Sequence, residues 1–183
     1  MKSSIIAYAT SIAGVLKLIP TAFEDYRGSY TELFDRDAFL NCIGEHDFYR
    51  NMVFPEFVQD DIAVSYRSVL RGLHGDFVTY KLVTVLHGAA YCIIADNRQE
   101  SVTYKKWAGF VLTSANRNQL LLPPGMGNSM YALQDDTRYY YKQTTHFVPG
   151  SQFTIKWNDP EWNFEWPISG QPIVSKRDEQ GHY

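Results

Sequence analysis

Cysteine is scarce in this sequence, with only Cys42 and Cys92 among 183 residues. Two thiols are too few for a disulfide-stapled scaffold, and a structural zinc site usually needs four ligands. Both are read as free thiols in a reducing compartment. Long apolar runs are absent as well, so no segment is expected to span a bilayer. The same shortage argues against a secretory signal. Lys2 and the small-residue step Ala7-Tyr8-Ala9 imitate its two ends, but only Ile5 and Ile6 supply apolar bulk between them. The expected location is the cytoplasm. An excess of one charge is also missing. The formal net charge of -3 offers no surface for nucleic acid or membrane. No repeat, low-complexity tract or linker divides the chain, and its length suits one domain over 1–183.

Aromatic residues are plentiful, at 15% with 13 Tyr and 11 Phe. They favour half-buried pleated surfaces and line pockets for rings. Strand-like segments are predicted at 14–19, 29–34, 57–64, 68–73, 79–87 and 89–96. Others follow at 107–113, 119–122, 129–133, 138–145 and 152–157, and a turn lies at 25–28. One helix is predicted over 35–42 with Asp35 as N-cap. Short strands separated by Gly, Pro, Asn and Asp indicate an all-β antiparallel jelly-roll barrel. In such a barrel alternate residues point into the cavity, so inward polar residues need an explanation.

Several polar residues fall at places where chemistry could follow. Arg71 and His74 flank Gly72, and their odd spacing puts them on opposite faces unless Gly72 marks a bulge. A lone histidine is more often a surface or satisfied core residue. Lys81 sits inside an apolar strand. It belongs either to the solvent face or, if inward, beside an anion or a developing negative charge. Tyr139 and Tyr141 share one face and Tyr140 takes the other, a pattern that core packing alone can produce. A tyrosine held near a base can also act as a general acid.

The motifs FVQD at 57–60, VLRGLH at 69–74, KLV at 81–83, LLPPG at 121–125, YYYK at 139–142, WNDP at 157–160 and SKRD at 175–178 occur in order. Together they resemble the dTDP-4-dehydrorhamnose 3,5-epimerase family over roughly 14–178. The resemblance implies a cupin-type jelly roll with short flanking helices, a homodimer whose subunits share active sites, and no cofactor. It implies His74 as base, Asp178 as its partner, Tyr141 as the opposing acid and Lys81 near the substrate ketone. Arg71 and Gln59 would hold the diphosphate, with Asn128 and Arg177 in the substrate-binding set. Phe23, Arg27 and Glu32 would reach the nucleotide from the neighbouring subunit. The substrate would be a nucleotide-linked 4-keto sugar, epimerised at C3, C5 or both without hydride transfer.

The chain also departs from the family pattern. Asn128 stands where the family commonly has histidine, and it cannot carry a proton charge near neutrality. Phe147 replaces a hydroxylated aromatic near the nucleotide, and Asp61 replaces a common asparagine. The strings RGLHGD, TYKLVT and PPGMGNS resemble a subgroup acting on GDP-linked 4-keto-heptoses. A metal-binding cupin is disfavoured, because Gly75 and Asp76 follow His74 where a second histidine would be needed. A non-catalytic sugar-nucleotide-binding cupin is disfavoured by the full set of His74, Lys81, Tyr141 and Asp178. A 4-keto-sugar-nucleotide ketoisomerase would use related enolate chemistry, and product NMR would separate it from an epimerase.

Overall fold

The computed structural model describes residues 4–181. Lys2, one end of the signal-like pattern, lies outside the described residues. The chain runs β1 (Ile5–Ala9), β2 (Leu16–Pro20), β3 (Ala22–Asp25), β4 (Gly28–Thr31), α1 (Arg36–Gly44), β5 (Gln59–Ser65), β6 (Leu70–Gly75) and β7 (Lys81–His87). It continues through β8 (Ala89–Asp96), β9 (Trp107–Thr113), β10 (Gln119–Leu122), β11 (Met126–Ala132), β12 (Thr137–Gln143), β13 (Phe153–Thr154) and α2 (Lys176–Gln180). One sheet has the order β1-β2-β10-β7-β12-β5, and the second has β13-β6-β11-β8-β9. Strands distant in sequence are neighbours in both, as the predicted jelly roll requires.

The two sheets face each other across a shared core. Val83 and Val85 of β7 and Leu120 and Leu122 of β10 meet Ala90, Cys92 and Ile94 of β8 and Met130 of β11. The alternate residues of the same strands serve the outer faces. Leu82 and Leu121 pack under α1 through Phe39 and Ile43, four residues apart on one helical face. Ile93 and Ala95 are covered by Ile155 and Trp162 from the C-terminal stretch. Burial on both faces explains why β7 and β8 read as nearly continuous apolar runs. Asp35 caps α1 as predicted, accepting from the Ala38 N–H at 2.8 Å.

Several boundaries differ from the sequence reading. β1 is not among the predicted strands. It is an edge strand with Ile6 53% and Tyr8 47% exposed, so no apolar–polar alternation marks it. The hairpin β3–β4 ends at Thr31 rather than continuing to 34, because the next residues are drawn inward. The Leu33 carbonyl accepts from Gln119 Nε2, and Phe34 packs on Phe39 and Phe57. β11 begins at Met126 rather than at 129, which places Asn128 within the strand instead of just before it. The strand expected over 152–157 shortens to two residues, although Ile155 still exchanges backbone hydrogen bonds with Leu73 at 3.0 and 3.1 Å.

The expected bulge is present. His74 pairs with Asn128 and Arg71 with Met130, so Gly72 and Leu73 together oppose Ser129. Gly72 has φ +106°, and a Cβ there would lie 2.5 Å from the Asn128 carbonyl oxygen and 2.9 Å from Ser129 Cα. Only glycine suits such a position. Gly72→Ala should therefore lower the unfolding free energy by about 1–3 kcal/mol in urea titrations. Gly44→Ala, whose Cβ would meet nothing within 4 Å, should stay near the parent.

Candidate active site

The bulge in β6 turns His74 and Arg71 toward one cavity of about 540 Å³ between the sheets. This volume lies within the range of small-molecule sites. His74 Nε2 lies 2.5 Å from Asp178 Oδ1. Asp178 sits in the first turn of α2, where the N-cap Ser175 Oγ accepts from its backbone N–H at 3.2 Å. Burial raises the Asp178 carboxyl, but the bond to His74, the His74 charge, Ser175 and the Gly72 N–H together outweigh burial. They hold it below the usual carboxylate value. An ionised carboxylate only accepts, so Nε2 carries the proton toward Asp178 and Nδ1 is the ring atom left for other chemistry.

The opposite wall comes from the other sheet. Lys81 of β7 and Tyr139, Tyr141 and Gln143 of β12 line the same cavity. The period-two reading of Tyr139 and Tyr141 therefore holds, and it extends to Gln143, a lining residue absent from the predicted set. Lys81 is 8% exposed. Burial lowers its pKa, with Arg177 acting in the same direction and Asp76 and Asp61 opposing. Among the described residues no hydrogen bond or ion pair holds its ammonium. The Tyr141 hydroxyl is likewise without a protein partner there. Burial raises its pKa, as does the charge of Asp61, while Arg71 lowers it.

The remaining predicted residues fall into two groups. Asn128 pairs with His74 across β6 and β11, and its Oδ1 accepts from Tyr139 at 2.9 Å. Arg71 lines the cavity and donates to Ser65 Oγ at 3.0 Å. Arg177 lines it too, donating to Thr154 Oγ1 at 2.8 Å. Gln59 is engaged by protein on both ends, donating to Asp61 at 2.7 Å and accepting from the Phe147 N–H at 2.8 Å. Phe23 and Arg27 lie on the β3–β4 hairpin and line a separate cleft, and Glu32 lies just beyond it. None of these three lines the His74 cavity, and neither does Gln59. Among the described residues no group of three or more His, Cys, Asp or Glu converges as a metal would require. No helix among them is long and apolar enough to cross a membrane.

An acid–base pair on one wall facing a phenol and a buried ammonium on the other suits proton transfer at a carbon beside a carbonyl. Known proteins with this architecture define the class. The structure of the Legionella pneumophila 3,5-epimerase in complex with dTDP-4-keto-L-rhamnose superposes with TM-score 0.88 and 30% identity, covering 99% of this chain and 92% of the other. The fold is that of the cupin-type sugar-nucleotide epimerases. The Escherichia coli K12 dTDP-4-dehydrorhamnose 3,5-epimerase is 37% identical over 175 residues, spanning 93% of this chain and 90% of the relative. The Streptomyces niveus dTDP-4-dehydrorhamnose 3-epimerase is 30% identical over 173 residues, spanning 92% and 78%. Residues 9–183 match the family profile of dTDP-4-dehydrorhamnose 3,5-epimerase, and the chain belongs to that family.

The depressed Asp178 carboxyl has a consequence for acid stability. A group depressed in the fold stabilises it above the unfolded value of 3.8, and that contribution fades as pH falls through the lower folded value. The stability gap between the parent protein and Asp178→Asn should be full at pH 6 and narrow below 3.8. Urea titrations of both proteins over that range check this. A gap constant down to the lowest pH would contradict it.

Proposed function

We propose that this enzyme, an epimerase of nucleotide-linked 4-keto sugars, uses His74 as base and Tyr141 as acid on opposite faces of the sugar ring. The observation that carries this reading is their placement on facing sheets, with Asp178 bonded behind the histidine. The C4 ketone acidifies the hydrogens at C3 and C5. His74 Nδ1 takes one, and the electron pair of the broken C–H bond moves onto the ketone oxygen to give an enolate. Lys81 stabilises that oxyanion, and Asp178 stabilises the imidazolium. Tyr141 returns a proton from the other side, inverting the carbon. No hydride moves, and the chemistry calls for neither a nicotinamide nor a metal. Arg71, Gln59 and Arg177 hold the diphosphate end, and Asn128 faces the sugar.

The nucleotide end is completed by a second copy of the chain. Among the described residues β3 and β4 form a separate two-stranded sheet, and the hairpin exposes Tyr26 at 97% and Tyr30 at 66%. In a homodimer, this hairpin and the residue after it lay Phe23, Arg27 and Glu32 on the nucleotide bound by its partner. The named relatives act on dTDP sugars. Phe147 without its hydroxyl, Asp61 and Asn128 support a different ligand, and a GDP-linked 4-keto-heptose is the finer reading.

Two experiments test these statements. In heavy water His74→Asn should stop deuterium wash-in beside the ketone while leaving nucleotide binding nearly unchanged, and Asp178→Asn should slow it. Exchange at the parental rate in His74→Asn would remove His74 from the mechanism. Two deuterons with inverted couplings at C3 and C5, after reductive trapping, are expected of the parent; one at C3 alone would mark a single-centre epimerase. Separately, a thermal-shift panel of dTDP, GDP, UDP and CDP should show the largest stabilisation with GDP. A ligand at 100 times its Kd adds about 2.7 kcal/mol, and a larger shift with dTDP would refute the GDP assignment.

A further inference from the structure

The hydrogen bond from Tyr139 to Asn128 crosses the barrel from one sheet to the other at 2.9 Å. Tyr139 is 3% exposed, so its ring cannot swing away easily. A primary amide has an accepting oxygen and a donating NH₂ group, and which end faces a ligand decides what it recognises. Here the oxygen is occupied by the phenol. The reverse orientation would direct an amide N–H at the hydroxyl and leave the phenol proton to find another acceptor. A polar group also within reach is the Cys92 thiol, a weak acceptor. Burial and the neighbouring Cys92 also hold the Tyr139 hydroxyl protonated, because both raise it well above its ordinary value.

We infer that Tyr139 is a positioning residue that locks the Asn128 amide with its NH₂ group turned into the cavity, as a neutral donor to the ketone oxygen beside the carbon His74 deprotonates. This rests on the epimerase reading above. The register supports it, since Asn128 lies directly opposite His74 on neighbouring strands, where side chains on one face are about 4.5–5.5 Å apart at Cβ. The donor thus sits beside the base, and Lys81 approaches from the facing sheet. A neutral amide cannot change charge between pH 5 and 8, unlike a histidine at the same place. Tyr139 fixes which way the amide points.

The test is a double-mutant cycle read by deuterium wash-in, with kcat and KM measured separately. Asn128→Ala removes a donor to a developing oxyanion, for which a loss in kcat of about 10²–10³ is expected. Tyr139→Phe keeps the ring but frees the amide to turn, and kcat should fall about tenfold with a smaller rise in KM, because the ground-state ketone also loses its oriented donor. In the Asn128→Ala background the Tyr139→Phe change should alter kcat less than about twofold, because its effect passes through the amide. A Tyr139→Phe variant with parental kcat would overturn the inference, and so would an equal loss in both backgrounds. If the parent washes no deuterium into any 4-keto sugar nucleotide, the proposed function fails, and calorimetry then decides the positioning role. Tyr139→Phe should weaken a sugar nucleotide relative to its free nucleoside diphosphate, and an unchanged difference would reject that role.

Discussion

The hydrogen bond between His74 and Asp178 joins residues 104 positions apart, and much of the C-terminal path serves to make it. After β13 the chain crosses the outer face of the smaller sheet, burying Ile155 and Trp162 there. It then returns beside β6, where Ile173 exchanges backbone bonds with Ser68 and Leu70 at 2.9 Å. That docking sets the start of α2. The helix is only five residues long, and Gly181 closes it in a left-handed conformation with its N–H on the Arg177 carbonyl. So short a helix has little stability of its own. The buried Asp178 is held by His74 and Gly72 of β6 and by Ser175 at the start of α2, and a buried carboxylate without them would carry a large desolvation cost. His74 is therefore oriented by a segment whose own position is set by tertiary docking.

Facing sheets solve a geometric problem that a single sheet cannot. Inverting a carbon needs a base and an acid on opposite sides of the same ring. Neighbouring strands bring side chains to one side only. In this barrel β6 and β11 contribute His74 and Asn128 to one wall, and β7 and β12 contribute Lys81 and Tyr141 to the other. The same alternation that aims Tyr139, Tyr141 and Gln143 inward sends Tyr140 and Lys142 outward. There both hydrogen-bond Asp60 at 2.8–2.9 Å, and the Lys142 ammonium lies 5.1 Å from the Phe34 ring centroid. Five consecutive residues thus serve the cavity and the α1 packing layer together.

The jelly roll is legible in the sequence because period-two alternation and turn residues survive there, and the Gly72 bulge because two polar residues at odd spacing need it. His74, Tyr141, Lys81 and Asp178 come from ordered motifs, and no spacing rule joins residue 74 to residue 178. The features without a linear signal are decided by tertiary contact. β1 shows no alternation because it lies at a sheet edge, where its exposed face is still occupied by Ile6 and Tyr8. The strand starting at Ser29 ends early because Phe34 is worth more in the aromatic cluster with Phe39 and Phe57 than in a two-stranded hairpin. Tyr139 reads in sequence only as a neighbour of Tyr141; its bond to Asn128 depends on the distance between sheets, which a linear pattern does not contain.

Asp61 shows how one substitution against the family pattern is absorbed. A carboxylate near the expected anionic ligand looks unfavourable, yet Gln59 and Gln143 both donate to its Oδ2, at 2.7 and 2.9 Å. Each of those bonds is charge-assisted, which an asparagine could not match. Its remaining influence reaches two groups that line the cavity. Toward Lys81 it opposes burial and favours the charged ammonium. Toward Tyr141 it adds to burial and favours the protonated phenol. Both effects act in the direction the proposed chemistry needs, since an oxyanion partner must carry its charge and an acid must keep its proton. Arg71 pulls Tyr141 the other way, and the net upward direction shows that burial and Asp61 prevail.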